Sequence, residues 1–358
     1  MTQPAPAVTG GVDTHGLTHH AAIIDPVGRE LGDKEFPATP AGYRALLAWM
    51  RSHGDLVAVG VEGTGAYGAE LARVLTAAGL TVIDVDRPDR KTRRMQGKSD
   101  PIDAYAAARA VASGRATGTP KARTGTVEAA RVLRVARRSA IKARTQVINQ
   151  IRGLLVSAPA GLRDQASGLH RADLVHALAG LRPGPDLSDP LAATKAALRR
   201  LARRHQALDT EISELDAEIT PLVTRAAPEL LKIFGVGPET AGQLLASAGD
   251  NPERLRSEAA FAHLCGVAPI PASSGRTHRH RLNRGGDRAA NSALYTIVLV
   301  RMRHDERTRA YVDRRTTQGL SKKEIIRCLK RFVAREIYRV LTTPPQEQTT
   351  QTTPAKAA

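Results

Sequence analysis

The stretch TGGVDTHGLTHHAAIIDPVGRELGDKEF, residues 9–36, decides the fold of the N-terminal part of this chain. Its apolar pattern predicts a short strand over Thr9–Thr14 and a hairpin that pairs His20–Ile24 with Arg29–Phe36. The turn of this hairpin falls at Asp25-Pro26-Val27-Gly28, where Asp, Pro and Gly are typical turn residues. The sequence therefore predicts a three-strand meander at the start of a sheet.

Helices and strands alternate in the residues that follow. The pattern predicts a helix near Tyr43–Arg51, a buried strand over Leu56–Val61, a helix over Gly68–Ala78 and a strand over Thr81–Val85. Three strands followed by helix, strand, helix and strand is the element order of the ribonuclease-H-like fold, in which the first and fourth strands lie side by side. We therefore expect an α/β domain with a mixed sheet of this type.

Charge and composition narrow the class of partner. The 358 residues include 53 Lys and Arg against 35 Asp and Glu, a formal net charge of +18 that favours nucleic acid. The sequence has no uninterrupted apolar run of about 18 residues and no N-terminal signal region, so we expect no membrane partner and a cytoplasmic protein that acts at the nucleoid. Cys265 and Cys328 suit a reducing compartment, since they form no disulfide or metal spacing.

Four acidic residues occur where this fold would bring them together. Asp13 ends the first predicted strand and Glu62 ends the fourth, so both carboxylates can meet at one sheet edge. Asp100 and Asp103, in KSDPIDA at residues 98–104, fall at i and i+3 on one helical face. Four carboxylates can hold two Mg²⁺ ions and so support phosphodiester chemistry. Taken singly, each acid is also explained as a helix cap, a turn residue or a surface charge.

The loop after the fourth strand allows a rival interpretation. Gly63-Thr64-Gly65-Ala66-Tyr67-Gly68 matches G-x-G-x-x-G, and Asp84 lies 21 residues beyond Gly63, as in a dinucleotide-binding fingerprint. Against this interpretation, Glu62 would repel a pyrophosphate, a three-strand meander precedes the loop, and nothing downstream resembles a substrate domain for hydride transfer. We therefore favour metal binding over dinucleotide binding.

Two long helices are predicted after the acids. The first is basic and covers Val127–Leu155, and the second follows the Pro/Gly/Asp break at residues 182–190. The second helix contains two heptad series that form the a/d seam of a coiled coil: Leu201, Leu208, Leu215 and Leu222, with Leu198, His205, Ile212 and Ile219. This seam indicates either a dimer or an antiparallel pairing with the first helix inside one chain, and the period alone does not decide between them.

The C-terminal helical segment contains two candidate nucleic-acid contacts. LKIFGVGPETA, residues 231–241, predicts helix, glycine hairpin and helix, and the second helix begins at Pro238 with N–H groups that could face a DNA phosphate. The same pattern also fits an ordinary helix corner. A basic helix over Ser321–Val340, opened by Ser321 and Glu324 as a capping box, could contact nucleic acid or pack on the core.

A loop with adjacent serines lies between these two features. It contains Ser273-Ser274-Gly275 and leads into a basic segment. An exposed hydroxyl beside cations is what a phosphoryl-transfer nucleophile needs, although a Ser/Gly loop next to a phosphate-binding segment is an equally simple interpretation. The arginines expected to contact phosphates are Arg276, Arg279, Arg281, Arg284 and Arg288.

Together these motifs resemble the DEDD transposases of insertion sequences, the IS110 family, which includes Piv-type DNA invertases and bridge-RNA-guided recombinases. The resemblance rests on GVDTH at 11–15, EGTGAY at 62–67, KSDPIDA at 98–104, and GVAP at 266–269 leading to SSG at 273–275. Four motifs in the same order across most of the chain are far more specific than any one of them.

The resemblance implies site residues, an activity and partners. It assigns Asp13, Glu62, Asp100 and Asp103 to the metal site and Ser274 to the nucleophile, since Ser274 directly precedes Gly275; Ser273 is the alternative. Ser274 would attack a DNA phosphate to give a phosphoserine link before strand exchange. It also implies a homodimer or tetramer, donor and target DNA as substrates, and a noncoding bridge RNA that pairs with both.

The resemblance also implies a domain organisation. We expect a disordered segment over 1–8, a RuvC-like DEDD domain over 9–125, long coiled-coil helices over 126–225, a mainly helical transposase domain with a helix-hairpin-helix over 226–341, and a disordered tail over 342–358. Two other functions stay open at this point. One is a RuvC-like metal-dependent nuclease that uses water instead of the serine, and the other is a non-enzymatic basic DNA-binding protein whose acids are structural.

Overall fold

The computed structural model describes residues 5–85, 97, 99–276 and 280–343. Within these ranges the chain forms two compact units, one from Met1–Thr124 with Ala248–Ser257 and one from Gly125–Ser247 with Glu258–Ala358. Most of the predicted disordered ends and the predicted phosphate contact Arg279 lie outside the described residues. At the N-terminus, Ala7 and Val8 belong to a strand, so the segment expected to be disordered overlaps the sheet.

The first unit is built on a five-stranded mixed sheet. Its strands are β1 (Ala7–Thr14), β2 (Thr18–Ile24), β3 (Glu30–Pro37), β4 (Asp55–Glu62) and β5 (Val82–Val85), in the order β3-β2-β1-β4-β5. The β1–β2 and β2–β3 pairs are antiparallel, and the β1–β4 and β4–β5 pairs are parallel. The expected meander and the expected neighbourhood of the first and fourth strands are both confirmed.

Helices cover both faces of this sheet. They are α1 (Pro40–Arg51), α2 (Ala69–Ala77) and α3 (Asp100–Ala112). Ala21 and Ile23 face one core with α1 and α2, whereas Ala22 and Ile24 face α3, because successive strand residues point to opposite faces.

Glycines in the central strands let α3 lie close to the sheet. A Cβ added at Gly11 of β1 would overlap the backbone oxygen of Ala104 and the backbone nitrogen of Ala108, and one added at Gly60 of β4 would lie 2.8 Å from the oxygen of Ala107. Only residues without a side chain allow this approach. The contact holds α3, whose first turn carries Asp100 and Asp103, close to the sheet.

A short segment from late in the sequence completes the first unit. Residues 248–257 contain a 3₁₀ turn over Pro252–Arg254. The Asn251 side chain accepts a hydrogen bond from the Ala122 N–H (3.0 Å) and donates one to the Pro120 carbonyl (2.9 Å), while Arg254 donates to the Thr119 carbonyl (3.1 Å). These two side chains thus satisfy backbone groups of residues 119–122, near the end of the N-terminal part of the unit.

The second unit is mainly helical. In chain order its elements are α4 (Thr126–Val156), α5 (Ala160–Ala166), α6 (Arg171–Ala179), α7 (Pro190–Ala226), α8 (Pro228–Leu231), α9 (Pro238–Ala248), α10 (Glu258–Leu264), β6 (Ile270–Pro271), β7 (His280–Arg281), α11 (Arg288–His304), α12 (Glu306–Thr317) and α13 (Lys322–Thr342). The last residue of α9 groups with the first unit. No helix among the described residues is long and apolar enough to cross a membrane.

The two long helices, α4 and α7, pack against each other in antiparallel fashion. Arg137 pairs with Asp216 (2.5 Å), and Arg144, two turns further along α4, pairs with Asp209 (2.5 Å), which precedes Asp216 on α7. The series Leu198, His205, Ile212 and Ile219 is buried along this contact, and the series Leu201, Leu208, Leu215 and Leu222 is half-buried. Of the two alternatives from the sequence, the intrachain pairing is the one observed; assembly of several chains stays a prediction.

Two local predictions in the C-terminal part are confirmed. Helix α9 begins at Pro238. Ser321 caps α13 through a complete capping box with Glu324, in which each side chain bonds the backbone N–H of the other residue. The buried residues of α13 include Ile325, Leu329, Val333 and Ile337, so this basic helix packs on the core with its apolar face.

Candidate active site

The ends of β1 and β4 hold the first two predicted acids. Asp13 is 6% exposed near the end of β1, and Glu62 is half-buried as the last residue of β4. The two strands run parallel with Val12 opposite Val61, so both acids lie at the same edge. The Thr14 hydroxyl donates to the Glu62 carbonyl (2.8 Å) and ties the two strand ends together.

The first turn of α3 brings the other two acids to Asp13. Asp100 begins α3 and is half-buried, and Asp103 is buried one turn later. Burial raises the pKa of Asp13, the charge of His15 lowers it, and the negative charges of Asp103 and Asp100 raise it further. Like charges gathered around a buried carboxylate, in a chain of strongly positive net charge, are typical of a cation site.

His15 is a member of this cluster that the sequence reasoning did not single out. Its Nε2 lies 3.1 Å from Asp13 Oδ2 and 3.3 Å from Asp100 Oδ1. The His15 N–H donates to the Thr18 carbonyl (3.0 Å), which closes the tight turn from β1 into β2 and keeps the ring at the strand end. The only sequence signal for this role was a histidine two residues after a strand-end aspartate, inside the GVDTH motif.

The geometry of these three residues fits one divalent ion. One ligand atom each from Asp13, His15 and Asp100 lies within 4.8 Å of the other two. Neighbouring ligands of an octahedral ion at about 2.1 Å stand about 3.0 Å apart, close to the distances between His15 and each carboxylate. Oxygen ligands suit Mg²⁺ and an imidazole suits transition metals, so the donor set accepts either class.

The glycine loop beside this cluster has a packing role. Gly63 adopts φ +74°, and a Cβ at Gly68 would press on Val61 and the Glu62 carbonyl at 3.0 and 3.1 Å. Asp84, the residue that a dinucleotide-binding fingerprint would direct to a ribose, instead accepts a hydrogen bond from Thr64 (2.5 Å). The turn geometry thus explains Gly63 and Gly68 without a nucleotide.

The predicted nucleophile lies on an exposed loop of the second unit. Ser273 and Ser274 are exposed beyond β6, which pairs with β7 through Ile270 and Arg281. Gly275 adopts φ +55°, a left-handed conformation that favours glycine. The Ser274 hydroxyl makes no hydrogen bond with another described residue, so it is accessible to a substrate.

Hydrogen bonds of one asparagine hold the residues from which this loop extends. Asn291 of α11 donates to the carbonyls of Cys265 (2.9 Å) and Gly266 (3.1 Å), and it accepts from the Lys330 ammonium (2.8 Å). A Cβ at Gly286 would overlap the backbone of Gly266, so the two ends of the loop touch directly. Ser273 and Ser274 therefore lie on a loop whose two ends, at Gly266 and Gly286, are held together.

Exposed arginines surround this loop. Arg281 and Arg284 line a cavity of about 460 Å³. Arg288 is the first residue of α11, next to Asp287, which caps that helix. Four of the five predicted phosphate contacts are described, all are exposed, and none of them pairs with an acid in the described part of the chain: Arg276, Arg281, Arg284 and Arg288.

The glycine hairpin before α9 is partly satisfied by its own residues. Gly235 adopts φ +81°, as a tight turn requires. The Gly237 N–H donates to the Thr240 hydroxyl (3.1 Å), and this hydroxyl in turn donates to the Gly237 carbonyl (3.0 Å). One candidate phosphate donor of the hairpin is thus already bonded within the turn.

Comparison with known protein families gives one match over the acids and another over the serine loop. A family model for DEDD transposases of IS110 matches residues 10–158, the range that carries the acids. A model described as the transposase IS116/IS110/IS902 family matches residues 227–313, the range that carries the serine loop. These matches identify an insertion-sequence transposase, an enzyme that acts on DNA.

Three relatives show how far the similarity extends. The 43.6 kDa protein of insertion element IS110 from Streptomyces coelicolor is 26% identical over 86% of this chain and 87% of its own length. The protein of the mini-circle IS117 from the same organism is 27% identical over 78% of this chain and 80% of its own. The 42 kDa protein of IS900 from Mycobacterium paratuberculosis is 34% identical over 46% of this chain and 40% of its own length. The chain belongs to the IS110 family of transposases.

Proposed function

We propose that this chain is a site-specific DNA recombinase of an insertion sequence, which cuts and rejoins strands with Mg²⁺ and a serine nucleophile. The observation that carries the proposal is the convergence of Asp13, His15 and Asp100 at one sheet edge. It is supported by the family membership and by the net charge of +18. The proposed fold of the acid-bearing unit is ribonuclease-H-like, in agreement with its strand order.

The proposed metal site holds divalent ions on the four acids and His15. Asp13 and Asp100, with His15, would bind one ion, and Glu62 and Asp103 would complete a site for two. When bound, Mg²⁺ stabilises negative charge on phosphodiester oxygens. Close backbone packing of α3 on β1 and β4, at Gly11 and Gly60, holds together the three elements that carry these acids.

The proposed chemistry at the serine is a transesterification. The Ser274 oxygen gives up its proton and forms a bond to the phosphorus of a DNA phosphodiester, while the bond from phosphorus to one sugar oxygen breaks and that oxygen takes up a proton. A hydroxyl from another strand reverses the step and frees Ser274. Guanidinium groups of Arg276, Arg279, Arg281, Arg284 and Arg288 would bind the phosphates around the reacting group.

The same proposal includes assembly and a guide. The acids belong to the first unit and Ser274 to the second, and a homodimer or tetramer would let acids and serine of different chains act together. A noncoding bridge RNA would pair with donor and target DNA, which suits a chain that binds nucleic-acid backbones through Arg and Lys. The ranges 9–125, 126–225 and 226–341 remain our proposed domains for metal chemistry, long helices and serine chemistry.

Strand exchange on plasmids that carry the ends of the element and its flanking noncoding DNA tests the proposal. We expect Asp13→Ala and Ser274→Ala each to abolish exchange, while the neighbouring Ser273→Ala serves as the matched control and keeps it. Loss in Asp13→Ala and Ser273→Ala but not in Ser274→Ala would move the nucleophile to Ser273, whereas loss in Asp13→Ala with exchange kept in both serine variants would instead indicate a metal-dependent nuclease-type enzyme that activates water. Exchange that is unaffected by chelation of divalent ions would overturn the metal part of the proposal.

Two further measurements separate the parts of the mechanism. A covalent protein–DNA adduct should form with the natural chain and be absent from Ser274→Ala; an adduct on that variant would overturn the serine assignment. A mixture of Asp13→Ala and Ser274→Ala chains should recover exchange if acids and serine of different chains act together. If a bridge RNA guides strand exchange, omission of the RNA transcribed from the flanking noncoding DNA should abolish the exchange.

A further inference from the structure

An exposed aromatic ring lies beside the acid cluster and takes no part in the proposed chemistry. Tyr67 belongs to the glycine loop, residues 63–68, which follows Glu62 at the end of β4. Its exposed fraction is 64%, the highest of any aromatic residue in the described part of the chain. Single exposed apolar side chains are common on protein surfaces, so the surroundings of Tyr67 decide whether the ring has a function.

The glycine loop holds Tyr67 in a defined place. The Gly63 carbonyl accepts hydrogen bonds from the N–H groups of Ala66 (2.8 Å) and Gly68 (3.1 Å), the residues on either side of Tyr67. The backbone that carries the ring is therefore held before any ligand binds. A side chain presented in this way loses little conformational entropy when it makes a contact, which favours binding.

The ring lies next to the turn that carries His15. A Cβ added at Gly16 would lie 3.4 Å from Tyr67 Cε1 and 3.9 Å from Cδ1 and Cζ, so one edge of the ring borders this glycine. Gly16 directly follows His15, whose Nε2 contacts the carboxylates of Asp13 and Asp100. Because this contact covers an edge and the residue is 64% exposed, a face of the ring is open to solvent beside the acids.

A second exposed apolar side chain extends this surface. Leu17, the residue after Gly16, is 86% exposed, and its carbonyl accepts a hydrogen bond from the Ala38 N–H (2.8 Å), which holds its backbone in place. Leu17 and Tyr67 thus present apolar surface beside the acids, whose negative charges repel the phosphates of an approaching strand until a cation is bound. Stacking of a base on an aromatic ring is not weakened by this repulsion.

We propose that Tyr67 stacks on an unpaired base of the DNA strand whose phosphate lies at the acids, with Leu17 as a second apolar contact. This role rests on the proposed recombinase function, because strands that rejoin to new partners must unpair near the cut. An aromatic ring binds any base through its π face, and the contact requires a base that has left the duplex stack. Tyr67 therefore binds the substrate strand and takes no part in making or breaking bonds.

Photo-cross-linking of the full chain to DNA tests the stacking. The probe is a labelled duplex of the element's end, unpaired over the cleavage position, in which 5-iododeoxyuridine replaces one base at a time. Light couples this base to an aromatic ring that is stacked on it. We expect mass spectrometry to find a cross-link to Tyr67 at a base beside the cleaved phosphate, and we expect Tyr67→Phe to keep the cross-link and Tyr67→Leu to lose it.

Affinity for the same DNA gives a second readout. Fluorescence anisotropy should show that Tyr67→Leu, which keeps an apolar side chain without the ring, raises Kd about tenfold, whereas Tyr67→Phe changes it less than about twofold. Leu17→Ala should raise Kd about threefold. Val27→Ala is the matched control and should leave Kd unchanged, because Val27 is 74% exposed in the turn at the other end of β2 from the acids.

Three outcomes would overturn the inference. The first is a natural chain that binds this DNA without a cross-link to Tyr67, a result that does not depend on the folding of any variant. The second is an equal Kd for Tyr67→Leu and the natural chain. The third is an altered oligomeric state of Tyr67→Leu with unchanged Kd, which would place the ring between chains. A chain that cross-links through Tyr67 but fails in strand exchange would support this contact and contradict only the proposed recombinase function.

Discussion

Arg134 of α4 donates hydrogen bonds to both carboxylate oxygens of Glu239 in the first turn of α9, at 2.7 and 2.9 Å. It also donates to the Glu239 carbonyl (2.8 Å) and to the Gln243 side chain (3.0 Å), and Arg134 is only 3% exposed. One buried guanidinium group therefore fastens the helix that follows the glycine hairpin to the long basic helix. The Glu239 carboxylate also lies at a helix start, where negative charge is favourable.

Removal of Glu239 should destabilise the second unit. Glu239→Ala leaves the buried Arg134 charge without its carboxylate, and we expect a loss of about 2 kcal/mol in the free energy of unfolding, because Glu239 itself is partly exposed. Glu229→Ala breaks an exposed pair with Lys232 and should cost less than about 0.5 kcal/mol. Urea unfolding followed by circular dichroism measures both, and equal losses would contradict the importance of the buried pair.

A side chain at Gly11 should disturb the metal site through the backbone. Gly11→Ala pushes α3 away from β1, which we expect to cost about 1–3 kcal/mol and to weaken divalent-ion binding. Gly32→Ala on β3 is the matched control, since its Cβ would meet neighbours at an ordinary 3.4 Å. Calorimetric titration with Mn²⁺, together with thermal unfolding, measures both effects. A Gly11→Ala chain with unchanged ion affinity would show that the start of α3 does not depend on this contact.

His15 should influence which ion binds. His15→Gln removes a nitrogen ligand, so we expect Co²⁺ affinity to fall at least about tenfold and the visible Co²⁺ spectrum to change, with a smaller loss for Mg²⁺, which prefers oxygen ligands. His20→Gln is the control, because His20 forms a similar pair with Asp33 (2.6 Å) outside the acid cluster. An unchanged Co²⁺ spectrum in His15→Gln would remove His15 from the site.

The two cysteines should differ in reactivity. Burial raises the pKa of Cys265 to about 12, and the charge of Asp287 adds to this, so the thiol stays protonated and inert at pH 8. Cys328 is half-buried on α13. We expect a thiol reagent to modify one residue, Cys328, in the folded chain and both residues in urea, as mass spectrometry would show. Modification of Cys265 in the folded chain at pH 8 would indicate that the residues around Cys265, where the serine loop begins, open transiently to solvent.

Local sequence signals predicted the elements well because their causes are local. The Asp25 to Gly28 turn and the cap at Ser321 depend on neighbours a few residues away. The placement of Asp13 and Glu62 at one sheet edge also followed from the sequence, since element order fixes which strand ends share an edge.

Contacts that depend on tertiary geometry could not be predicted in this way. The place of His15 between two carboxylates depends on the tight turn that returns through Thr18. The heptad pattern marked a seam on α7, but which helix faces that seam was undecided, because the charge pairs of Arg137 and Arg144 become visible only when both helices are placed.

The return of residues 248–257 to the first unit has a consequence for inheritance. Asn251 and Arg254 bond carbonyls near residue 120, so the part of a gene that encodes the four acids does not by itself encode every residue of the unit that holds them. An exchange of gene segments between related elements with a junction near residue 125 would combine one parent's acids with another parent's Asn251. Such hybrids should persist only where both parents have the same residues at these few positions. The two halves of the chain should therefore be inherited together.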